Sequence, residues 1–201
     1  FVEGPSAMTT VTLHPGRERR ILSGHLWVFS NEIADDVTTL EPGGWVEVRS
    51  AKGQPLGTGY ANPHTLIAVR LVCRPGETFG EALVEARLRE AAARRERLFP
   101  GETCYRLVFG ESDGLPGLVV DRYGDVLVTQ VATLGMARLE PLLHDMLSRV
   151  FSPRCIVARN DVGLRGLEGL DLEKGVARGE LPEEVRVTLD GVEYAVDVLE
   201  G

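Results

Sequence analysis

The stretch YRLVFGESDGLPGLVVDRYGDVLVTQ, Tyr105–Gln130, alternates apolar runs with turn residues. Leu107–Phe109, Leu118–Val120 and Val126–Val131 carry the β-branched and aromatic side chains that favour strands. Between the first two runs, Gly110–Gly117 holds the turn dipeptides Asp113-Gly114 and Pro116-Gly117. Tyr123-Gly124-Asp125 supplies a tight hairpin between the last two. Glu111, Ser112 and Asp113 raise the question whether this loop does chemistry or only turns the chain. An EF-hand loop needs ligands at alternate positions and a closing glutamate, which are missing. Gly110–Gly114 spells Gly-x-Ser-x-Gly, but the loop joins two strand-like runs where a nucleophile elbow joins a strand to a helix, so Ser112 has no nucleophile setting. The chain has neither a Walker loop nor a Gly-x-Gly-x-x-Gly. The loop therefore reads as structural and metal-free.

Working outward, Met136–Phe151 repeats Met136, Leu139, Leu142, Leu143, Met146, Leu147 and Val150 at helical spacing, so one apolar face should dock on a sheet. The two methionines then serve as core filler. Cys155–Ala158 reads as a strand and Val176–Arg178 as a weaker one. In VRVTLDGVEYAVDVLEG, Val185–Gly201, apolar residues alternate on both sides of Asp190-Gly191. That is a hairpin, and a two-stranded ribbon alone is marginal in water, so its apolar face needs a partner.

Upstream lies a different texture. Val11–His14, Trp45–Ser50, Pro55–Ala61 and Leu66–Cys73 are short β-rich segments punctuated by Gly43-Gly44, Lys52-Gly53 and Asn62-Pro63. Pro15 and Gly24 bracket a short helix, Pro15–Ser23, that carries Arg17, Arg19 and Arg20. On such a helix Arg17 and Arg20 share one face and Arg19 points partly away. Trp27 and Phe29 are expected to anchor the core of a compact β-barrel. Phe79–Leu98, rich in Ala, Glu, Arg and Leu, reads as a connecting helix whose charges, Arg94, Arg95 and Arg97 among them, form a solvated face.

With 201 residues, 43% of them hydrophobic, the chain can bury one or two small cores. Neither a membrane-length apolar run nor a secretory signal is seen, and a cytoplasmic setting is expected. Cys73, Cys104 and Cys155 are too few and too scattered for a disulfide framework or a zinc site, and read as buried thiols. The formal charge of -8 argues against a nonspecific nucleic-acid binder. That charge is uneven. Phe1–Arg74 has seven acidic and seven basic residues, so the excess lies downstream.

GHLWVF at Gly24–Phe29, Tyr105–Gln130, RND at Arg159–Asp161, GELP at Gly179–Pro182 and the closing VDVLEG occur together. In their order and spacing they resemble the bacterial S-adenosylmethionine-dependent methyltransferases that make 5-methylcytosine in large-subunit ribosomal RNA. The resemblance implies an α+β chain: a PUA-like small β-barrel, then a small α/β-sandwich domain of the strand-strand-helix-strand-strand (EEHEE) type, ending in a β-hairpin. The expected bounds are a remnant outside the fold at 1–8, with Phe1–Ala7 ahead of Met8; a PUA-like RNA-binding domain at 9–75; a connecting helix at 76–102; the central domain at 103–183; and the hairpin at 184–201. In the family a Rossmann-like catalytic domain with the cofactor loop and the cysteine nucleophile follows the hairpin, so this chain is expected to be an N-terminal part without it.

On that basis no catalytic, cofactor or metal residue is assigned here, and S-adenosylmethionine belongs to the longer protein. The implied partners are ribosomal RNA and that catalytic domain. Arg17, Arg19, Arg20 and His25 are the candidate RNA contacts. Arg122, Arg159, Asp161 and Arg165 are candidates for lining the cleft that faces the catalytic domain; an ion pair that fixes the Arg159–Asp161 loop is the plainer role. Two other readings compete: a stand-alone RNA-binding or protein-interaction module, and a hydrolase using Glu111 and Asp113.

Overall fold

The computed structural model describes residues 8–189 and 191–200. Phe1–Ala7, and Asp190 of the expected hairpin turn, lie outside the described residues. The chain divides into two compact units at Leu83/Val84.

The first unit is a five-stranded sheet. Its strands are β1 (Thr9–Thr12), β2 (Trp27–Phe29), β3 (Trp45–Arg49), β4 (Pro55–Ala61) and β5 (Ile67–Cys73), in the order β1-β3-β4-β5-β2. β1 runs parallel to β3 and the other pairs are antiparallel. A bridge between Leu13 and Ile33, with His14 N–H donating to Glu32 O and Ala34 N–H to Thr12 O, ties the β1 edge to the chain leaving β2. Val11, Leu13, Val28, Val46, Val48 and Val69 fill the interior.

Two local expectations fail here. The helix α1 covers only Arg19–Leu22, not Pro15–Ser23. Pro15-Gly16 makes a turn instead: Gly16 sits at φ +83° and Arg17 N–H donates to His14 O at 3.2 Å. Proline followed by a positive-φ glycine is the signature of a type II turn, which a helix cannot incorporate. Arg17 is thus off the helix and shares no helix face with Arg20. Nor do Trp27 and Phe29 anchor the core. A strand points successive side chains to opposite faces, and Val28, fully buried, takes the inward position between them.

The second unit opens with α2 (Glu81–Leu98), so the helix read as a connector clusters almost entirely with the sheet on its C-terminal side. That sheet contains β6 (Cys104–Phe109), β7 (Leu118–Tyr123), β8 (Val126–Val131), β9 (Cys155–Asn160) and β10 (Glu173–Gly179), in the order β10-β9-β8-β7-β6. Three strands precede the helical segment and two come after it, one strand more than the implied EEHEE pattern. Only β8 and β9 are parallel. The expected Met136–Phe151 helix is two helices, α3 (Leu134–Ala137) and α4 (Glu140–Phe151). Pro141, at the start of α4, has no N–H to donate back, so it begins a helix and cannot continue one. A single turn, α5 (Leu164–Leu167), links β9 to β10.

Residues paired across the ladders share a face. Leu118, Val120, Leu127, Thr129 and Ile156 turn to the helices, where Thr129 Oγ1 meets Nε2 of His144 on α4 at 3.1 Å. Val126, Val128, Cys155 and Val157 face the opposite way, toward the terminal ribbon β11 (Val185–Leu189) and β12 (Val192–Val196). Val185, Val187 and Val198 bury themselves on that face. The ribbon is therefore covered at its base. Farther along it, Leu189, Val192 and Tyr194 are about half exposed.

Candidate functional site

The Glu111–Asp113 loop is held from behind by α2. Val84, Leu88, Ala91 and Arg95 are the buried positions of that helix, spaced 4, 3 and 4 residues apart. Arg95 thus occupies the fourth place of an apolar stripe, contrary to the solvated face expected for it. It lies there because Asp113 meets it. Arg95 Nη1 and Nη2 donate to Asp113 Oδ1 and Oδ2 at 2.7 and 2.6 Å, and Arg94 Nη1 adds a third bond at 3.1 Å. Asp113 Oδ2 also accepts from Phe109 N–H at 2.7 Å, while Arg95 Nε donates to Arg106 O at 3.0 Å. β6 is an edge strand, and these two backbone groups belong to it. The Arg95–Asp113 pair therefore occupies bonding positions that an open edge would offer to another chain. With its carboxylate taken up by guanidinium and amide donors, Asp113 is not available as a general acid or base, which removes the hydrolase reading. Among the described residues no group of His, Cys, Asp and Glu is arranged to hold a metal ion.

Of Arg122, Arg159, Asp161 and Arg165, the structure pairs only Arg159 with Asp161. Arg122 on β7 faces the helix side, donates to Gly124 O at 2.9 Å and lies 6.0 Å from the ring centre of Tyr105. Arg159 on β9 faces the ribbon side. It grips Asp161 with two bonds of 3.0 and 3.1 Å and donates from Nη1 to Val198 O at 3.2 Å. Those bonds hold the Asp161 carboxyl below the usual carboxylate range. Arg159 and Asp161 thus clamp the segment after β12, joined by Lys174–Glu200 at 2.7 Å. Arg165 is 3% exposed and spends its donors on Val131 O, Asp171 O and Glu173 Oε1.

A polar network missed in the sequence lies under α4. Asn160, 1% exposed, accepts from Val131 N–H and donates to Glu140 Oε1, both at 2.8 Å. Glu140 Oε1 is 3.6 Å from His144 Nε2. Burial lowers the His144 pKa to about 4 and raises that of Glu140. These residues border a cavity of about 400 Å³ whose other wall is β10. The signal was Glu140 and His144 four residues apart on the inward side of an amphipathic helix.

On the first unit, Arg17, Arg19 and His25 are exposed. Arg17 and Arg19 form no ion pair among the described residues. Arg20 differs: its Nη1 is 3.4 Å from Oε1 of the buried Glu32, and its guanidinium lies 4.9 Å from the Phe29 ring centre. Arg17 and Arg19 are therefore cations of this surface open to an incoming anion, His25 is exposed near them in the chain, and Arg20 is a structural tie.

Residues 11–74, which hold all four of these side chains and the five-stranded sheet's core, match the family model of a PUA-like domain. The first unit is a PUA-like domain. Across both units the chain is 36% identical over 194 residues to the ribosomal RNA large subunit methyltransferase I of Pseudoalteromonas atlantica, covering 95% of this chain and 49% of the relative. It is 39% identical over 197 residues to the same-named protein of Shewanella denitrificans, with the same coverage. Its homologues are thus large-subunit rRNA methyltransferases, and the chain spans about half the length of the curated relatives it matches. Among solved structures, a Streptococcus mutans protein assigned to the SAM-dependent methyltransferases aligns with a TM-score of 0.78 at 17% identity, over 96% of this chain and 50% of its own. The SAH-complexed SMU.776, also assigned as a methyltransferase, aligns at 0.79 and 16%, over 96% and 49%. At such identity these two speak for the fold alone. The PUA-like domain places the basic turn and α1 at its surface, and the aromatic pair beside them was the feature that the sequence misassigned.

Proposed function

We propose that this chain is the substrate-recognition part of an S-adenosylmethionine-dependent methyltransferase that forms 5-methylcytosine in large-subunit ribosomal RNA. The observation that carries the reading is the PUA-like domain's exposed Arg17 and Arg19, in a stretch, Phe1–Arg74, whose seven acidic and seven basic residues balance, of a chain whose homologues are rRNA methyltransferases. Guanidinium groups meet phosphate with two parallel donors and give salt-sensitive affinity. The acidic second unit supplies no broad attractive field, so contact is local.

In the proposed reaction a cysteine thiolate adds to C6 of cytosine, C5 takes the methyl group, and a base removes the C5 proton as the C6–S bond breaks and the thiolate leaves. S-adenosylmethionine supplies that methyl group when bound. The thiols of this chain do not suit the nucleophile. Cys73 and Cys155 are buried, and burial pushes the Cys155 and Cys104 thiols up, away from the thiolate. We therefore assign the chemistry to the remainder of a longer protein and give this chain the task of holding RNA. The target base has to leave its stack to react, so recognition of unpaired RNA belongs to the same task.

The test is a salt titration of affinity for a large-subunit rRNA segment, comparing the wild-type chain with Arg17→Ala/Arg19→Ala. Each lost phosphate contact should reduce the log–log slope by about 0.7–0.9. Identical slopes, or no RNA binding by the wild type, would refute the proposal.

A further inference from the structure

We propose that Trp27, braced by Phe29 and Arg20, is a stacking platform for one unpaired RNA base. The inference rests on the RNA reading and adds to it the residue that selects unpaired over paired RNA. Three observations converge on β2. First, its register, Trp27 to Arg70, Val28 to Val69 and Phe29 to Ile67, sends Val28 into the core and turns both rings outward on an edge strand. Trp27 keeps 36% of its surface exposed, a large apolar area for a residue that could have been buried.

Second, the pair is fixed in place. The rings meet edge to face, centroids 6.4 Å apart at 85°. The Arg20 guanidinium covers a face of Phe29 at 4.9 Å. Glu32 holds both partners, accepting Phe29 N–H at 2.9 Å through Oε2 and pairing with Arg20 through Oε1. A ring that must meet a ligand gains from such bracing, because less side-chain freedom is lost on binding. Since one face of Phe29 is already taken by the guanidinium, the indole of Trp27 is the surface offered outward.

Third, the neighbouring charge selects a flat ligand that carries phosphate. Exposed Arg17 and Arg19 lie within ten residues of Trp27 along the chain, at the exit of the Pro15-Gly16 turn and at the start of α1, in a stretch, Phe1–Arg74, with no net charge. An exposed aromatic ring on a segment that also exposes arginines offers the chemistry by which single-stranded nucleic acid is held without sequence readout. A base inside a duplex has both faces covered by its neighbours, so the platform favours a base that is unpaired and unstacked.

The experiment exploits the chain's two tryptophans. Trp45 is half-buried against Phe79, ring centroids 4.6 Å apart, so Trp45→Phe keeps an aromatic there and leaves Trp27 as the single reporter. This chain is titrated with a single-stranded oligoribonucleotide and with a blunt duplex of the same sequence. Trp27 emission and the anisotropy of end-labelled RNA are read together. The expected result is quenching of Trp27 by the single strand and not by the duplex. In the otherwise wild-type chain, Trp27→Ala should weaken single-strand binding by roughly 5- to 150-fold while leaving the salt slope unchanged. If anisotropy reports binding while Trp27 emission stays constant and Trp27→Ala binds as wild type does, the platform is refuted and the RNA reading stands. If anisotropy reports no binding at all, both fall. Emission that changes with protein concentration in the absence of RNA would refute the platform in favour of a contact between chains.

Discussion

Replacing Asp113 by alanine should be among the most damaging single changes in the second unit. Its carboxylate is 1% exposed, and the Arg95 side chain opposite is 10% exposed. The substitution removes acceptors for two bonds from Arg95, one from Arg94 and one from Phe109 N–H. Arg95 is then a buried cation holding only Arg106 O. Stranding one member of a buried ion pair costs about 3–5 kcal/mol, more than the pair itself contributes over an apolar replacement. Removing the stranded charge as well, in Arg95→Met/Asp113→Ala, should recover about 2 kcal/mol of that loss. Urea denaturation followed by circular dichroism gives the free energies. Hydrogen exchange at Cys104–Phe109 localises the effect, since the single change removes the acceptor of Phe109 N–H and the double change also removes the donor to Arg106 O. Trp27 and Trp45 both lie in the first unit, so tryptophan fluorescence follows that unit and should move least. A single variant within 1 kcal/mol of wild type, or a double variant as unstable as the summed singles, would refute the account of this loop.

The buried His144 should make the chain acid-sensitive. Its pKa is near 6.5 when unfolded and about 4 in the fold, so only the unfolded chain takes up that proton between these values. Stability should therefore fall as pH drops through that window, by up to about 3 kcal/mol. Glu140, raised by burial, gains its proton earlier in the fold and offsets part of the loss; His144→Gln should flatten the pH profile of urea midpoints, and an unchanged profile would contradict this. Gly117→Ala should cost roughly 2–4 kcal/mol, because a Cβ there would sit 2.2 Å from Thr133 Oγ1 at φ +81°. Gly124→Ala, at φ +63° with open space around it, should cost only about 1–2 kcal/mol in the same melts; equal losses would mean that the Thr133 contact is unimportant.

Most strands of both units were legible because alternation and turn residues are local signals. Pro55–Ala61 and Val126–Val131 match the observed strands to the residue. Errors arose where a local signal had two solutions. Pro15-Gly16 suits a helix start by its proline, yet the next glycine adopts a positive φ and makes a turn. Trp27 and Phe29 are large enough to be core, yet parity along a three-residue strand gave the inside to Val28. Arg95 sat in a charged run, and only its spacing from Val84, Leu88 and Ala91 betrayed its burial. The candidate cations separated for a reason no sequence pattern carries: Glu32, which ties Arg20, is twelve residues away, and Arg165 reaches Val131, thirty-four residues upstream.

Ultraviolet cross-linking of the chain to a large-subunit rRNA segment, with mass spectrometry of the linked peptides, tests the RNA assignment most directly. The account predicts links within Arg17–Phe29 of the PUA-like domain, Trp27 foremost, and their loss on competition with unlabelled single-stranded RNA. Links confined to Val84–Glu200, or none under conditions where the RNA is bound, would contradict it.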